Sequence, residues 1–351
     1  MGNFHFAIEN EIKARAYSLG FSLCGITSAA PPTGYPKYLE WLTSKHHAGM
    51  AYLNTPYHKE LRKDSAGLFP NLSSIIVLGL PYELTSVNQM KDQQVCLISG
   101  YAAGEDYHLR IPRMLESLVD FLTSTFPVTT CPRVYTDSAP ILEREMAVRA
   151  GLGWIGRNSC VISPTHGSGF LLAEIFTDIP LAADQPFSSE YCGGCTRCVD
   201  ACPTQCILPD RTVDASRCLS YHSIENRGTI PPEIMERFGN QIFGCDICQA
   251  VCPWNHRAAS RMGTTAPQNN LSIEKMLEVL TLSTDEFSAR FRNTALARAK
   301  RTGFFRNIII GLTNLQVEES RAAIEGLLRS ETDPMIRYTA HWALDHIKQK
   351  E

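Results

Sequence analysis

The chain has 351 residues, 44% of them hydrophobic and 20% charged, and a formal net charge of −3. This composition fits a globular protein of more than one domain, and its acidity excludes nucleic-acid binding spread over the whole surface; such a partner must meet a local patch. The longest apolar stretch, around residues 75–80, is far too short for a membrane span, and His5, Glu9, Glu11, Lys13 and Arg15 break any secretory pattern at the start.

Residues 6–19 place Phe6, Ile8, Ile12, Ala16 and Leu19 near one face of a helix, with Gly20 as its C-terminal stop. Residues 21–26 follow as a first strand. Pro31 and Pro32 mark a turn, after which a helical segment with Tyr38, Leu39 and Trp41 leads to His46, His47 and a polar loop through Arg62 and Asp64. The run 74–80 is β-branched and bounded by turn residues, the pattern of a buried strand. Residues 96–101 give another. Between 106 and 125, Ile111, Met114, Leu115, Leu118, Val119 and Leu122 recur at helical spacing. Residues 134–136 end strand-like, and Asp137 and Ser138 open a helix over 140–150 that Gly151 closes. With strands over 160–163 and 170–177, strand and helix alternate, so residues 1–184 are expected to form an α/β domain. Polar residues 184–189 link it to a cysteine-rich domain, 185–262. Residues 262–270 read as a second linker, and the region 263–351 shows helical stripes, with no convincing strand from Ser272 onward. The whole is expected to be an α+β or α/β multidomain chain.

Nine of the thirteen cysteines lie between 192 and 252. Cys192, Cys195, Cys198 and Cys202-Pro203 form CxxCxxCxxxCP, and Cys245, Cys248 and Cys252-Pro253 form a shortened CxxCxxxCP. In two-cluster ferredoxins the first three cysteines of such a run grip one 4Fe-4S cube, while the fourth reaches the other. Ile242 stands where the second run's first cysteine belongs, so one ligand must come from Cys206 or Cys218. Cys206 lies too soon after Cys202 to escape the first run's turn, which selects Cys218. The expected sets are Cys192, Cys195, Cys198 and Cys252 for one cube, and Cys202, Cys218, Cys245 and Cys248 for the other, in a ferredoxin-like domain. A structural zinc site also uses CxxC pairs, but it explains neither the triplet nor the two Cys-Pro endings. Cluster thiolates require a reducing compartment, so a cytoplasmic protein is expected, with Cys24, Cys96, Cys131 and Cys160 as reduced core residues.

These runs, the intervening Cys218, and the segments Gly100-Tyr-Ala-Ala-Gly-Glu-Asp-Tyr-His108, Tyr135-Thr-Asp-Ser-Ala-Pro140 and Gly151-Leu-Gly-Trp-Ile-Gly-Arg-Asn158 together resemble the epoxyqueuosine reductases over nearly the whole chain. The resemblance implies reduction of epoxyqueuosine to queuosine at the wobble position of tRNA, using base-off cobalamin and two 4Fe-4S clusters. It also implies a C-terminal all-α, HEAT-like helical-repeat region that helps hold the tRNA. An unidentified low-potential donor would supply electrons, and a monomer is expected. The corrinoid pocket carried over is Arg62, Tyr101, Asp106, His108, Asp137, Asn158, Ser159, Val161 and Ser220. The corrinoid motif DxHxxG begins at Asp106-Tyr-His108, but Ile111 replaces its glycine, so no histidine is expected on cobalt. Asp106 and His108 also read as first-turn residues favoured by the helix dipole, and Arg62 as a solvated loop charge. Gly151, Gly153 and Gly156 do not make a dinucleotide-binding GxGxxG in its strand-to-helix context.

Asp137 is expected to donate the proton that lets the epoxide oxygen leave, which requires a raised pKa; the plain alternative is a helix cap, a task Ser138 could take. Arg290, Arg292, Arg298, Lys300, Arg301 and Arg306 follow one another with no acid between them. Such a run is usually a solvated helix face; given the resemblance, Arg298, Lys300, Arg301 and Arg306 become the expected tRNA contacts. Two other classes compete. A corrinoid reductase of a small molecule, related to reductive dehalogenases, leaves the helical tail without a reason, and an electron-transfer ferredoxin module leaves the large first domain without a use.

Overall fold

The computed structural model describes residues 2–262 and 269–348, without the side chains of residues 2–7 and 262. The expected place of Phe6 on its helix and most of the expected second linker thus lie outside the described residues. Nine strands occur among the described residues: β1 (Leu23–Ser28), β2 (Ser74–Pro81), β3 (Val95–Ile98), β4 (Arg133–Tyr135), β5 (Trp154–Ile155), β6 (Val161–Ile162), β7 (Phe170–Thr177), β8 (Gln241–Phe243) and β9 (Asn270–Ser272).

β2 and β7 form the centre of a four-stranded sheet of order β1-β2-β7-β4. β2 is buried from Ser74 to Leu80 because both of its faces are covered. Its side chains split with the two-residue period of a strand. Ile76, Leu78 and Leu80 pack with Ile12 and Ala16 of the helix Gly2–Ser18 and with Ile111, Leu115, Leu118 and Leu122 of the helix Tyr107–Thr125. Ile75 and Val77 face the other way, onto Phe69, Phe176, Met146 and Ala147. Alternation of strand and helix suggested a parallel arrangement, yet every pairing in this sheet is antiparallel. The connections are long enough to return the chain to either end of the sheet, so local alternation does not fix strand direction. The helix expected over 140–150 also starts later, at Glu143–Arg149, and neither Asp137 nor Ser138 caps it: Leu142 occupies the cap position without a side-chain bond.

β3 leaves this sheet. It pairs parallel with β8 of the cysteine-rich segment and antiparallel with β9 of the tail, so three distant stretches share one small sheet. β9 lies at the end of the expected linker, where three residues are too few for a period to register. Above this sheet lies the helix Lys300–Asn314, buried continuously from Gly303 to Thr313. Gly311 packs so closely that a Cβ there would meet Ile242 Cγ2 at 2.7 Å. Its neighbours Pro334–His346 and Ser320–Ser330 complete an apolar cluster with Phe287, Phe304, Phe305, Ile308 and Ile336. No disulfide joins any of the thirteen cysteines; Cys96 is buried as expected, whereas Cys131 is exposed on the loop before β4 and is no core residue. No described helix is long and apolar enough to cross a membrane.

Candidate active site

The helix Tyr107–Thr125 begins at an acidic cap. Asp106 accepts from the backbone N–H of His108 at 3.0 Å, and its Oδ1 also lies 2.8 Å from His108 Nδ1. The cap therefore orients the imidazole. Tyr107 and His108 stack with ring centroids 4.1 Å apart and reach the same carboxyl group: Tyr107 Oη donates to Asp137 Oδ2 at 2.8 Å, and His108 Nε2 lies 3.7 Å from it. Tyr101 stands behind Tyr107, its ring also meeting Tyr82 and Phe243.

Asp137 sits in the left-handed region, at φ 55°, a conformation that Asp tolerates better than most side chains. Its N–H donates to Glu143 Oε1 at 2.6 Å, while the preceding Thr136 is tied to β7 by an Oγ1 bond to the Leu172 carbonyl at 2.7 Å. The side chain of Asp137 is 66% exposed and that of His108 38%, so both can be reached from solvent. The His108 imidazole, aided by Tyr107, holds the Asp137 carboxyl below the usual carboxylate range despite desolvation. The same contact, with Asp106, raises His108. The contacts thus lower Asp137 and raise His108, the reverse of the raised Asp137 that was expected.

Two further carboxyl groups stand behind the loop. Burial, and then the Asp137 charge, push Glu143 up to about 8. Glu174, in the middle of β7, is fully buried and is raised by burial and by Glu143. Both were missed. The available signal was a lone acid inside an otherwise uncharged strand, Phe-Leu-Leu-Ala-Glu-Ile-Phe-Thr.

The remaining pocket residues are dispersed around this centre. Arg62 lies in the helix Pro56–Lys63, its guanidinium 2.8 Å from His58 Nδ1 and 5.3 Å from the Tyr38 ring centroid. Glu225, Arg298, Asp137 and Arg62 all act electrostatically on Tyr52. Ser159, at φ 65°, gives its Oγ to the Arg211 carbonyl, and its own carbonyl accepts from Arg144 at 2.7 Å. Val161 is buried in β6 within the apolar cluster under the sheet. Ser220 is half-buried in the helix Leu219–Ile224. Asn158 is 5% exposed, lines the cysteine cavity and keeps a buried Nδ2 without an acceptor among the described residues.

That cavity, of about 230 Å³, is lined by Cys192, Cys195, Cys198 and Cys252 together. Trp154 Nε1 donates to Cys192 Sγ at 3.5 Å, and Trp154, Phe187, Tyr191 and Trp254 pack edge and face around the two chain segments. Cys195 is exposed, so this set lies at the surface. Cys202, Cys218 and Cys248 gather in an adjoining apolar cluster that Cys198 also packs against, and Cys245 packs against the core of the tail. Cys206 joins them: it remains in the turn after Cys202, and the turn holds its sulfur 3.5 Å from Cys202 Sγ. Backbone N–H groups of Ser220 and Tyr221 face the Cys218 sulfur.

The basic run is largely absorbed by the fold. Arg298 pairs with Glu225 at 2.8 Å but remains 56% exposed, and Lys300 is exposed. Arg301 is 18% exposed and is held by Glu331 and the Leu282 carbonyl. Arg306 is fully buried and donates to the carbonyls of His222, Asn226 and Gly228. Arg306 is therefore a structural residue and not a tRNA contact, because its guanidinium satisfies the end of the helix Leu219–Ile224 and the turn after it.

A sequence model described as a 4Fe-4S double cluster binding domain matches residues 191–255, and one described as epoxyqueuosine reductase QueG matches residues 62–138. The chain is 40% identical to an epoxyqueuosine reductase of Cyclobacterium marinum over 299 residues, covering 85% of this chain and 94% of the relative. It is 34% identical to that of Escherichia coli over 344 residues, covering 96% and 89%. An epoxyqueuosine reductase solved with an epoxyqueuosine-modified tRNA-Tyr stem loop superposes with a TM-score of 0.85 at 27% identity, covering 97% of this chain and 90% of that one. A Bacillus subtilis epoxyqueuosine reductase, solved with its aspartate-bearing catalytic loop swung out of the active site, superposes with a TM-score of 0.84 at 26% identity, covering 98% and 91%. With nearly its whole length so matched, the chain belongs to the epoxyqueuosine reductase family of oxidoreductases.

Proposed function

We propose that the chain reduces epoxyqueuosine in tRNA to queuosine, with Asp137 as the residue that delivers a proton to the epoxide oxygen. The observation that carries this is the solvent-accessible Asp137 carboxylate held between Tyr107 Oη and His108 Nε2. Opening an epoxide to an alkene consumes two electrons and two protons and releases the oxygen as water. His108, raised by its two aspartates, can hold a proton next to Asp137, and a substrate bound over the pair removes water from the carboxylate, which favours transfer of that proton to Asp137. The pair then presents a neutral acid to the departing oxygen. The relative with its loop swung out supports a mobile Asp137 segment in this chain as well.

The cysteines suit two 4Fe-4S clusters in the sets given above, one at the surface where a low-potential donor can reach it. Cobalamin, when bound, supplies a strongly reducing centre for carbon. Asn158 fits it, since its buried Nδ2 offers a donor to an amide-fringed ligand, and we assign Tyr101, Arg62, Ser159, Val161 and Ser220 to the same pocket. His108 has Asp106 on one ring nitrogen and Asp137 facing the other, which suits a corrinoid bound base-off with no histidine on cobalt. Arg298, within electrostatic reach of Asp137, and Lys300 would meet the tRNA. We read the chain as a cytoplasmic monomer of three units, 1–184, 185–262 and 263–351, the last a HEAT-like helical repeat.

Anaerobic protein loaded with iron and sulfide, with and without added cobalamin, tests this reading. Conversion of epoxyqueuosine-bearing tRNA only when both are present is expected; conversion without cobalamin, or none with it, overturns the reading.

A further inference from the structure

Glu174 has a full carboxyl group in the centre of β7, between Val77 of β2 and Tyr135 of β4. It is 0% exposed, and neither oxygen has a hydrogen-bond donor among the described residues. An isolated carboxylate in such a place is strongly disfavoured, so the group demands an explanation. The ionisable groups that act on it are Glu143 first and Asp137 second, with no basic side chain among them. Glu143 in turn meets Asp137, Arg144, Arg62 and Glu174, and Tyr107 stands within its reach. Two carboxyl groups that face each other with no other donor between them are satisfied only by a proton they share.

The other end of Glu143 is occupied. Its Oε1 accepts the Asp137 N–H at 2.6 Å, across the point where the backbone turns left-handed at φ 55°. The base of the loop is tied to β7 by Thr136, through the Leu172 carbonyl, and Ser138 N–H folds back onto the Thr136 carbonyl at 2.6 Å. Glu143 thus fixes the exposed part of the loop, and Glu174, two residues along the strand from Leu172, fixes Glu143. We infer that Glu143 and Glu174 form a proton-sharing pair that latches the Asp137 loop in its active position. Neither residue touches the substrate; both are positioning residues for Asp137, and this inference rests on the proposed role of that aspartate.

The latch is proton-dependent. Burial and the Asp137 charge hold Glu143 up to about 8, and burial with Glu143 holds Glu174 higher than a free carboxyl group. When the pair loses its shared proton, two facing carboxylates repel, Glu143 turns away, and the Asp137 N–H is released. Both folded-state values lie above the unfolded ones. The pair's contribution to stability is therefore complete below the usual carboxylate range and declines as pH rises toward the folded values, so at neutral pH the latch weakens the fold it serves.

Full-length, cluster-loaded enzyme with Glu174→Gln tests this. The Gln amide donates to Glu143, so no shared proton is required. The alkaline decline of kcat should move out of the range where the wild-type enzyme shows it, KM for tRNA should stay constant, and Tm at neutral pH should rise. His108 titrates in the same direction but is untouched by this substitution, which separates the two groups. Glu174→Leu removes the partner altogether and should lower kcat with KM constant. Wild-type protein offers an independent measure: its infrared spectrum should contain the carbonyl stretch of a buried protonated carboxyl at neutral pH, absent in Glu174→Gln, and exchange of the Asp137 amide should accelerate as that band titrates. An unmoved alkaline limb in Glu174→Gln, or absence of the band from the wild type, overturns the inference. The band and the amide exchange are read without substrate. Full activity of Asp137→Asn would therefore overturn the proposed role of Asp137 while leaving the latch to be judged by those two signals.

Discussion

Asp137→Asn separates proton delivery from every other role of the loop. The bond that places the loop, from the backbone N–H to Glu143 Oε1 at 2.6 Å, does not involve the substituted side chain. Asn is also among the residues best suited to the φ of 55° at this position. Its amide oxygen can still accept from Tyr107 Oη, whose partner now lies at 2.8 Å. What disappears is the charge facing His108 and the ability to pass on a proton. General acids contribute ~10²- to 10⁴-fold, equivalent to ~3–5 kcal/mol of barrier, so single-turnover conversion of epoxyqueuosine-bearing tRNA should fall by at least ~10²-fold. Iron content, cobalamin uptake and tRNA affinity should not change. An internal check is His108, which loses its principal raising partner and should titrate lower in an NMR pH series. Turnover within a few-fold of wild type, with cofactors intact, would refute the assignment and move the proton source to another group or to water.

Cys218→Ala should lose about half of the iron and one set of cluster resonances, since a 4Fe-4S cube rarely survives loss of a thiolate, whereas Cys206→Ala should keep both despite its sulfur lying beside Cys202; the reverse outcome exchanges the two assignments. Replacing Arg298 and Lys300 by Ala should weaken tRNA binding and reduce the salt slope by ~0.7–0.9 for each phosphate that is no longer neutralised. Arg306→Ala should instead lower Tm, because each buried carbonyl it leaves without a donor costs about 1–3 kcal/mol; an unchanged melting curve would show those carbonyls rehydrated. The pKa of His108 is raised in the fold from 6.5, so its pairing contributes stability that is fully present below about pH 6.5 and is lost as pH rises through the folded value. His108→Gln should remove that dependence from denaturation curves measured across this window.

The parts of the site legible in the sequence are those whose chemistry is local. Cluster ligands two and three residues apart announce themselves by spacing, and β2 by an apolar run that only a strand covered on both faces can accommodate. Asp137 was legible as a residue at a strand end, but its left-handed backbone and the bond to Glu143 depend on a helix starting six residues later. Its proton balance depends on His108, from another element. Arg306 was misread for the converse reason. The run from Arg290 to Arg306 contains no acid, yet Glu225, Glu278 and Glu331 arrive from elsewhere in the chain to neutralise three of its members, and carbonyls about 80 residues away take up Arg306. Charge along the sequence is a poor guide to charge at the surface when a helix is the buried centre of its domain.

The small sheet β8-β3-β9 bears on how the chain is made. β3 ends at Ile98, but its two neighbours are Gln241–Phe243 and Asn270–Ser272. On a ribosome adding ~5–20 residues per second, roughly 10–35 s pass between synthesis of the strand and synthesis of its last partner. Until β8 is made Val-Cys-Leu-Ile has both edges open, and one stays open until β9 follows; such apolar edges invite pairing with other nascent chains. The cysteine runs are synthesised within the same interval, before the strand that closes the sheet. Iron-sulfur insertion would therefore meet a partly folded chain, and production at low temperature or with holdase chaperones should increase the yield of loaded protein more than added iron does.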